Sequence, residues 1–214
     1  MAAFPLPFRD CGTEFKMASA GVAGYDRAMT DIPFLSGQFL LAMPGMHDPR
    51  FEHAVIAMCS HDESGAVGIG LGATIQGLTF HDLLDQFEIA HGAAPDVPIH
   101  FGGPVETRRG FILHSLDWSG QDSIDVAGRW ALSSTIDVLR AIAEGSGPTR
   151  WAAAIGYAGW SAGQLEGELA APGWLTVQGD EALLYDTPAD ARWATAFGAE
   201  GIDPRLLVSD TGNA

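Results

Sequence analysis

HAVIAMCS at His53–Ser60 and AVGIGL at Ala66–Leu71, with the turn residues Asp62–Gly65 between them, read as two strands of one hairpin. Two strands joined this tightly must be antiparallel, because a parallel pair needs a crossover of a dozen or more residues. Upstream, SGQFLLAM at Ser36–Met43 is another apolar strand, closed by Pro44-Gly45. Asp48-Pro49 starts a short helical turn through Glu52, with aspartate as N-cap and proline at the first position. Downstream, GFILHSLDW at Gly110–Trp118, a run over Ile124–Leu132 and RWAAAIGY at Arg150–Tyr157 are further strands. Trp174–Gln178 and Ala182–Tyr185 form a last strand pair.

Helices punctuate this pattern. Thr79-Phe80-His81-Asp82 is a capping box, followed by Phe80, Leu83, Leu84 and Phe87 at helical spacing. Ser134-Thr135-Ile136-Asp137 is a second, with Gly145 as the stop. Ser161 opens a third helix over Ala162–Ala170, Thr187-Pro188 a fourth with Trp193 and Phe197 buried, and Asp203-Pro204 a final turn. Strands outnumber helices and follow one another through tight turns, so the expected class is α+β with a largely antiparallel sheet. Residues 1–33 are broken by Pro5, Pro7, Gly12, Gly21 and Gly24 and are expected to form a loosely ordered arm before a single domain over 34–214. Met1, Met17 and Met29 are alternative starts.

The chain has 214 residues, below the ~250 of a (β/α)8 barrel. Its 27 acidic and 11 basic residues give a net charge of −16, and Lys16 is the one lysine. Such a surface repels phosphate, so direct nucleic-acid binding is not expected, and anionic membranes are disfavoured by the same repulsion. Two cysteines, Cys11 and Cys59, make no disulfide framework. No basic segment followed by an apolar core marks a secretory signal at the N-terminus, and a cytoplasmic protein with free thiols is expected.

Three motifs bear on chemistry. Gly159-Trp160-Ser161-Ala162-Gly163 matches the nucleophile elbow G-x-S-x-G, between a strand and a helix. All seven histidines precede the serine, so the order that fold requires is absent. The plainer reading makes Ser161 an N-cap, with Gln164 completing the box. Gly68–Ala73 matches G-x-G-x-x-A, yet no helix opens there, which favours close strand packing over nucleotide binding. His53, Cys59 and His61 share one face if their strand is regular. His53 and His61 would then lie more than about 20 Å apart, so no common metal is expected; Cys59 with His61 is a candidate redox-sensitive pair, against the plainer reading of a buried cysteine beside a strand-end histidine. No cofactor or catalytic residue is assigned.

Three stretches together resemble the YqgE/AlgH family of bacterial proteins: FLLAMPGMHDPRFEHAVIAMCSH at 39–61, IHFGGPVETRRGFILH at 99–114 and AIGYAGWSAGQLEGEL at 154–169. Trp174–Val177, Asp186-Thr187-Pro188 and Arg192-Trp193 match as well, so the resemblance spans roughly 36–214. It implies a pseudo-barrel of bent strands flanked by helices, without a settled biochemical activity; some members are labelled transcriptional regulators. The expectation is a non-catalytic, protein-binding regulator whose transcriptional role, if it has one, is indirect. The alternative is a small-ligand binder or enzyme with a pocket near the GGP turn and the GQLE helix. The candidate site for either comprises Trp160, Gln164 and Glu168 with Gly102, Gly103 and Pro104.

Overall fold

The computed structural model describes residues 34–46 and 48–207. These residues form ten strands: β1 (Gln38–Ala42), β2 (Val55–Asp62), β3 (Gly65–Gly70), β4 (Thr74–Thr79), β5 (Pro98–Phe101), β6 (Val105–His114), β7 (Ile124–Val126), β8 (Trp130–Ser133), β9 (Trp151–Ser161) and β10 (Trp174–Gln178). Among the described residues four α-helices accompany them: α1 (Phe80–Gln86), α2 (Ile136–Glu144), α3 (Gln164–Leu169) and α4 (Ala189–Ala199). The sheet runs β10-β1-β2-β3-β9-β6-β8-β7, with β4 and β5 branching from β9. Every pairing is antiparallel except β5 with β9. The sheet curls into a half-barrel, an α+β fold. Its two ends approach each other: Arg129 donates to the Gly179 carbonyl at 2.9 Å, and Phe39 stacks on Trp130 with ring centroids 5.4 Å apart.

Three apolar groups hold the fold. The first fills the concave face, with Phe39, Leu41, Val55, Ile69, Trp130 and Phe197. The second seats α1 and α2 against β5, β6 and β9, and the third packs α3 and Trp174 against β1, β2 and β9. Strands β1 and β2 are buried on both faces: Phe39, Leu41, Val55 and Ala57 point inward, and Leu40, Ala42, Ile56 and Met58 outward. Hence their sequences read as unbroken apolar runs. Strand β9 is the hub, pairing β3, β5 and β6.

Several elements differ from the sequence reading. Asp48 starts no helix; its carboxylate binds Arg50 across a turn. His53 precedes β2 with φ of 53° and packs at a tilt against the Trp193 ring, so it is not on the strand. Ile124–Leu132 is a hairpin: Val126 pairs Trp130 across a three-residue loop in which Ala127 and Gly128 both take positive φ. Thr74–Thr79 is a strand that carries no apolar alternation. Ala182–Asp186 is a π-helical turn rather than a strand, and Arg192 collects the carbonyls of Leu183, Leu184 and Thr187 there. Thr79 and Asp82 do form their capping box, and Gly145 ends α2 in the left-handed conformation. At α2 the N-cap is Thr135, and its hydroxyl donates to Asp137 instead of capping. Cys11, the arm and the alternative starts lie outside the described residues.

Candidate functional site

Helix α3 is shorter than its sequence pattern. Strand β9 runs through Ser161, and Gly163, at φ of 73°, is the N-cap. Gln164 still reaches back as a capping box would, accepting the Ser161 N–H at 3.1 Å. Its amide nitrogen donates to Glu168 Oε1 at 3.0 Å. The other Glu168 oxygen accepts both indole N–H groups, Trp160 at 2.9 Å and Trp174 at 3.0 Å. Trp160 and Trp174 are 7% and 9% exposed. The polar stripe is therefore the fastening of α3 to the sheet. Ser161 is exposed, and among the described residues no histidine bonds to it.

The Gly102–Pro104 turn is where β5 leaves its parallel partner. A Cβ on Gly102 would lie 2.1 Å from the Gly156 carbonyl oxygen, and one on Gly103 2.2 Å from the Tyr157 backbone. Only glycines permit this crossing. Gly102 and Gly103 line a shallow cleft with Phe51, Ala54, Gly70 and Gly72. Trp160, Gln164 and Glu168 do not line it, so the two halves of the candidate site are not brought together in one pocket.

Next to the turn, β6 carries a wide bulge. Val105 pairs Tyr157 and Gly110 pairs Ile155, so four residues, Glu106–Arg109, loop out. Glu106 takes φ of 46°. Arg109 binds Glu106 at 3.3 Å and Ser134 at 3.1 Å and lies over Phe111. Arg108 is exposed and has no hydrogen-bond or ion-pair partner among the described residues. The charged run ETRR inside an apolar strand pattern was the available signal for this bulge.

Cys59 and His61 do not form a pair. A bulge between Met58 and Ser60 breaks the alternation of β2. Cys59 points into the concave group. His61 faces α3, where its Nε2 meets Glu166 at 3.0 Å. Burial pushes the Cys59 thiol up to about 12, far from a reactive thiolate. Glu166 is lowered by its own backbone N–H and by His61.

Two buried polar residues were not singled out by the sequence. Arg192 is 3% exposed and donates to the carbonyls of Leu71, Leu183, Leu184 and Thr187. It has no carboxylate partner among the described residues, and burial lowers it to about 10. His100 is held down to about 4, first by burial and then by Arg192. Among the described residues, no three His, Cys, Asp or Glu side chains are grouped to hold a metal ion, and no helix is long and apolar enough to cross a membrane.

The family model described as AlgH-like matches residues 39–205. A UPF0301 protein of Rhizorhabdus wittichii is 57% identical over 180 residues, covering 84% of this chain and 97% of the relative. One from Novosphingobium aromaticivorans is 56% identical over 186 residues, covering 87% and 100%. The solution structure of the AlgH protein from Pseudomonas aeruginosa, 38% identical, superposes with a TM-score of 0.70 over 88% of this chain and 100% of that one. A crystal structure of a Corynebacterium diphtheriae protein, 15% identical, shares the fold at a TM-score of 0.66 over 86% of this chain and 95% of that one.

Proposed function

The chain belongs to the AlgH-like family, and on that footing we propose that it is a cytoplasmic, non-catalytic regulatory protein that works by binding another protein. The binding face is the Gly102–Pro104 turn with the adjoining β6 bulge. One observation carries this reading: a strand interrupted by a strained four-residue bulge that sets Arg108 in solvent, unpaired among the described residues, on a chain of net charge −16. Bulges and strained backbone gather where a side chain is aimed at a partner. A solvent-exposed cation on a strongly acidic chain suits an acidic or polar docking segment. The same net charge argues that any transcriptional effect passes through that partner and not through direct DNA contact.

The test is a comparative pull-down from native cytoplasm with the full chain and its Arg108→Glu variant. A protein retained by the parent and lost by the variant, at equal Tm, supports the reading. If both chains retain the same proteins, the face is wrong. A second reading rests on the cleft lined by Gly70, Gly72, Gly102 and Gly103. A small molecule carried through native mass spectrometry would favour that ligand-binding role.

A further inference from the structure

We infer that His61 is a proton-operated latch between the entry segment Phe34–Ser36 and helix α3. The Leu35 backbone N–H donates to His61 Nδ1 at 3.2 Å. A backbone N–H can only donate, so Nδ1 is unprotonated and the ring proton sits on Nε2. That proton points at Glu166 Oε1, 3.0 Å away. The backbone N–H of His61 donates to Ser36 Oγ at 3.0 Å. One residue thus fastens the entry segment twice and α3 once. Its side chain is 1% exposed, so water does not stand in for either ring partner.

An imidazolium carries a proton on both nitrogens. Proton uptake would set Nδ1–H against the Leu35 N–H, donor against donor, while strengthening the bond to Glu166. The latch would let go of the entry segment and keep α3. Leu35 is 2% exposed and belongs to the outer group with Trp160 and Trp174, and Phe34, 57% exposed, rests edge-on against the imidazole. Release of Leu35 therefore uncovers apolar surface at a defined place. The charged groups facing the ring among the described residues are Glu166 from α3 and Asp62 from β2, both anionic. His61 acts here as a positioning residue.

The test uses the full chain between about pH 8 and about pH 5, the range over which histidine acts as a switch. Imidazole 15N shifts report the tautomer and charge of His61, and amide exchange, corrected for its intrinsic pH dependence, reports protection at Leu35. The expected result is an Nε2–H tautomer at high pH. As His61 takes up its proton, Leu35 protection should fall at least tenfold while the amides of Gln164–Leu169 keep theirs. His61→Gln offers one acceptor and one donor and takes no proton, so its Leu35 protection should not change with pH. Glu166→Gln removes the facing charge, and in it the loss of Leu35 protection should still coincide with proton uptake read at His61. Leu35 protection that stays constant while His61 titrates overturns the proposal, as does an equal loss in His61→Gln or a neutral Nδ1–H tautomer. Should His61→Gln fail to fold, the parent and Glu166→Gln decide the question alone.

Discussion

One oxygen of Glu168 accepts the indole N–H of Trp160 and that of Trp174, at 2.9 and 3.0 Å, so a single carboxylate on α3 joins the end of β9 to the start of β10. An exposed helix residue would cost under about 0.5 kcal/mol on truncation. Here Glu168→Ala leaves two nearly buried donors and the Gln164 amide without their acceptor, and should cost about 2 kcal/mol. Glu168→Gln should fall between, because its amide puts a donor where three donors converge. Urea unfolding followed by tryptophan emission measures both. A Glu168→Ala cost near zero would show that the indoles find water instead.

His100 should give the fold an acid-labile component. Its folded value of about 4 lies below the usual 6.5, so the folded state holds the neutral ring. That stability is fully present above about pH 6.5, falls away between 6.5 and 4, and is lost below 4. A difference of about 2.5 pH units corresponds to about 3 kcal/mol. Comparing stability against pH for the parent and His100→Gln isolates this share from the carboxylates. Parallel curves would remove His100 from the account.

Cys59 should resist alkylation in the folded protein. Its thiol is 4% exposed and pushed up to about 12, so thiolate is scarce at neutral pH. Peptide mapping after iodoacetamide treatment, native and then in denaturant, should find Cys59 modified only in the second. Rapid native labelling would restore it as a redox candidate.

Two glycine replacements should part in sign. Gly102→Ala drives a methyl to 2.1 Å from the Gly156 carbonyl oxygen, a backbone clash with nowhere to yield. A loss above about 3 kcal/mol is expected, enough to prevent folding of a marginal domain. Gly167→Ala sits within α3 with nothing inside 4 Å of the added carbon and should stabilise by about 0.5 kcal/mol through helix propensity. Thermal melts decide both, and a tolerated Gly102→Ala would mean that the β5 crossing can shift.

The isolated protein should not bind duplex DNA specifically at about 0.15 M salt. Shift assays on promoter fragments test this, and nanomolar, sequence-dependent binding would place a nucleic-acid surface on a chain whose charge opposes one.

Burial on both sides is what made β1 and β2 legible, since it leaves a continuous apolar signature. Strand β4 escaped because little of it is buried: its residues are exposed or half-buried, and its ladder with β5 registers only at Thr74 and Thr79. The π-helical turn escaped for a different reason. ALLYD has the composition of a strand, and what bends it is Arg192, a side chain further along the chain that gathers its carbonyls. At the candidate site, the spacing of Gln164 and Glu168 correctly put them one turn apart. It could not show Trp174 arriving from the far side to share the carboxylate. Likewise the regular spacing of Cys59 and His61 concealed a bulge that turns them to opposite faces.

The ladder between β1 and β10, with Phe39 opposite Val177, joins residues about 140 positions apart. During synthesis at ~5–20 residues per second, the first strand leaves the ribosome on the order of ten seconds before its outer neighbour exists. Strand β9, which bridges three others, also comes late. The nascent chain must therefore carry QFLLA with one edge open through most of translation. Mistranslation or stalling before residue 178 would release a product whose most apolar edge is unpaired, and cells making such fragments should depend on chaperones to keep them from aggregating.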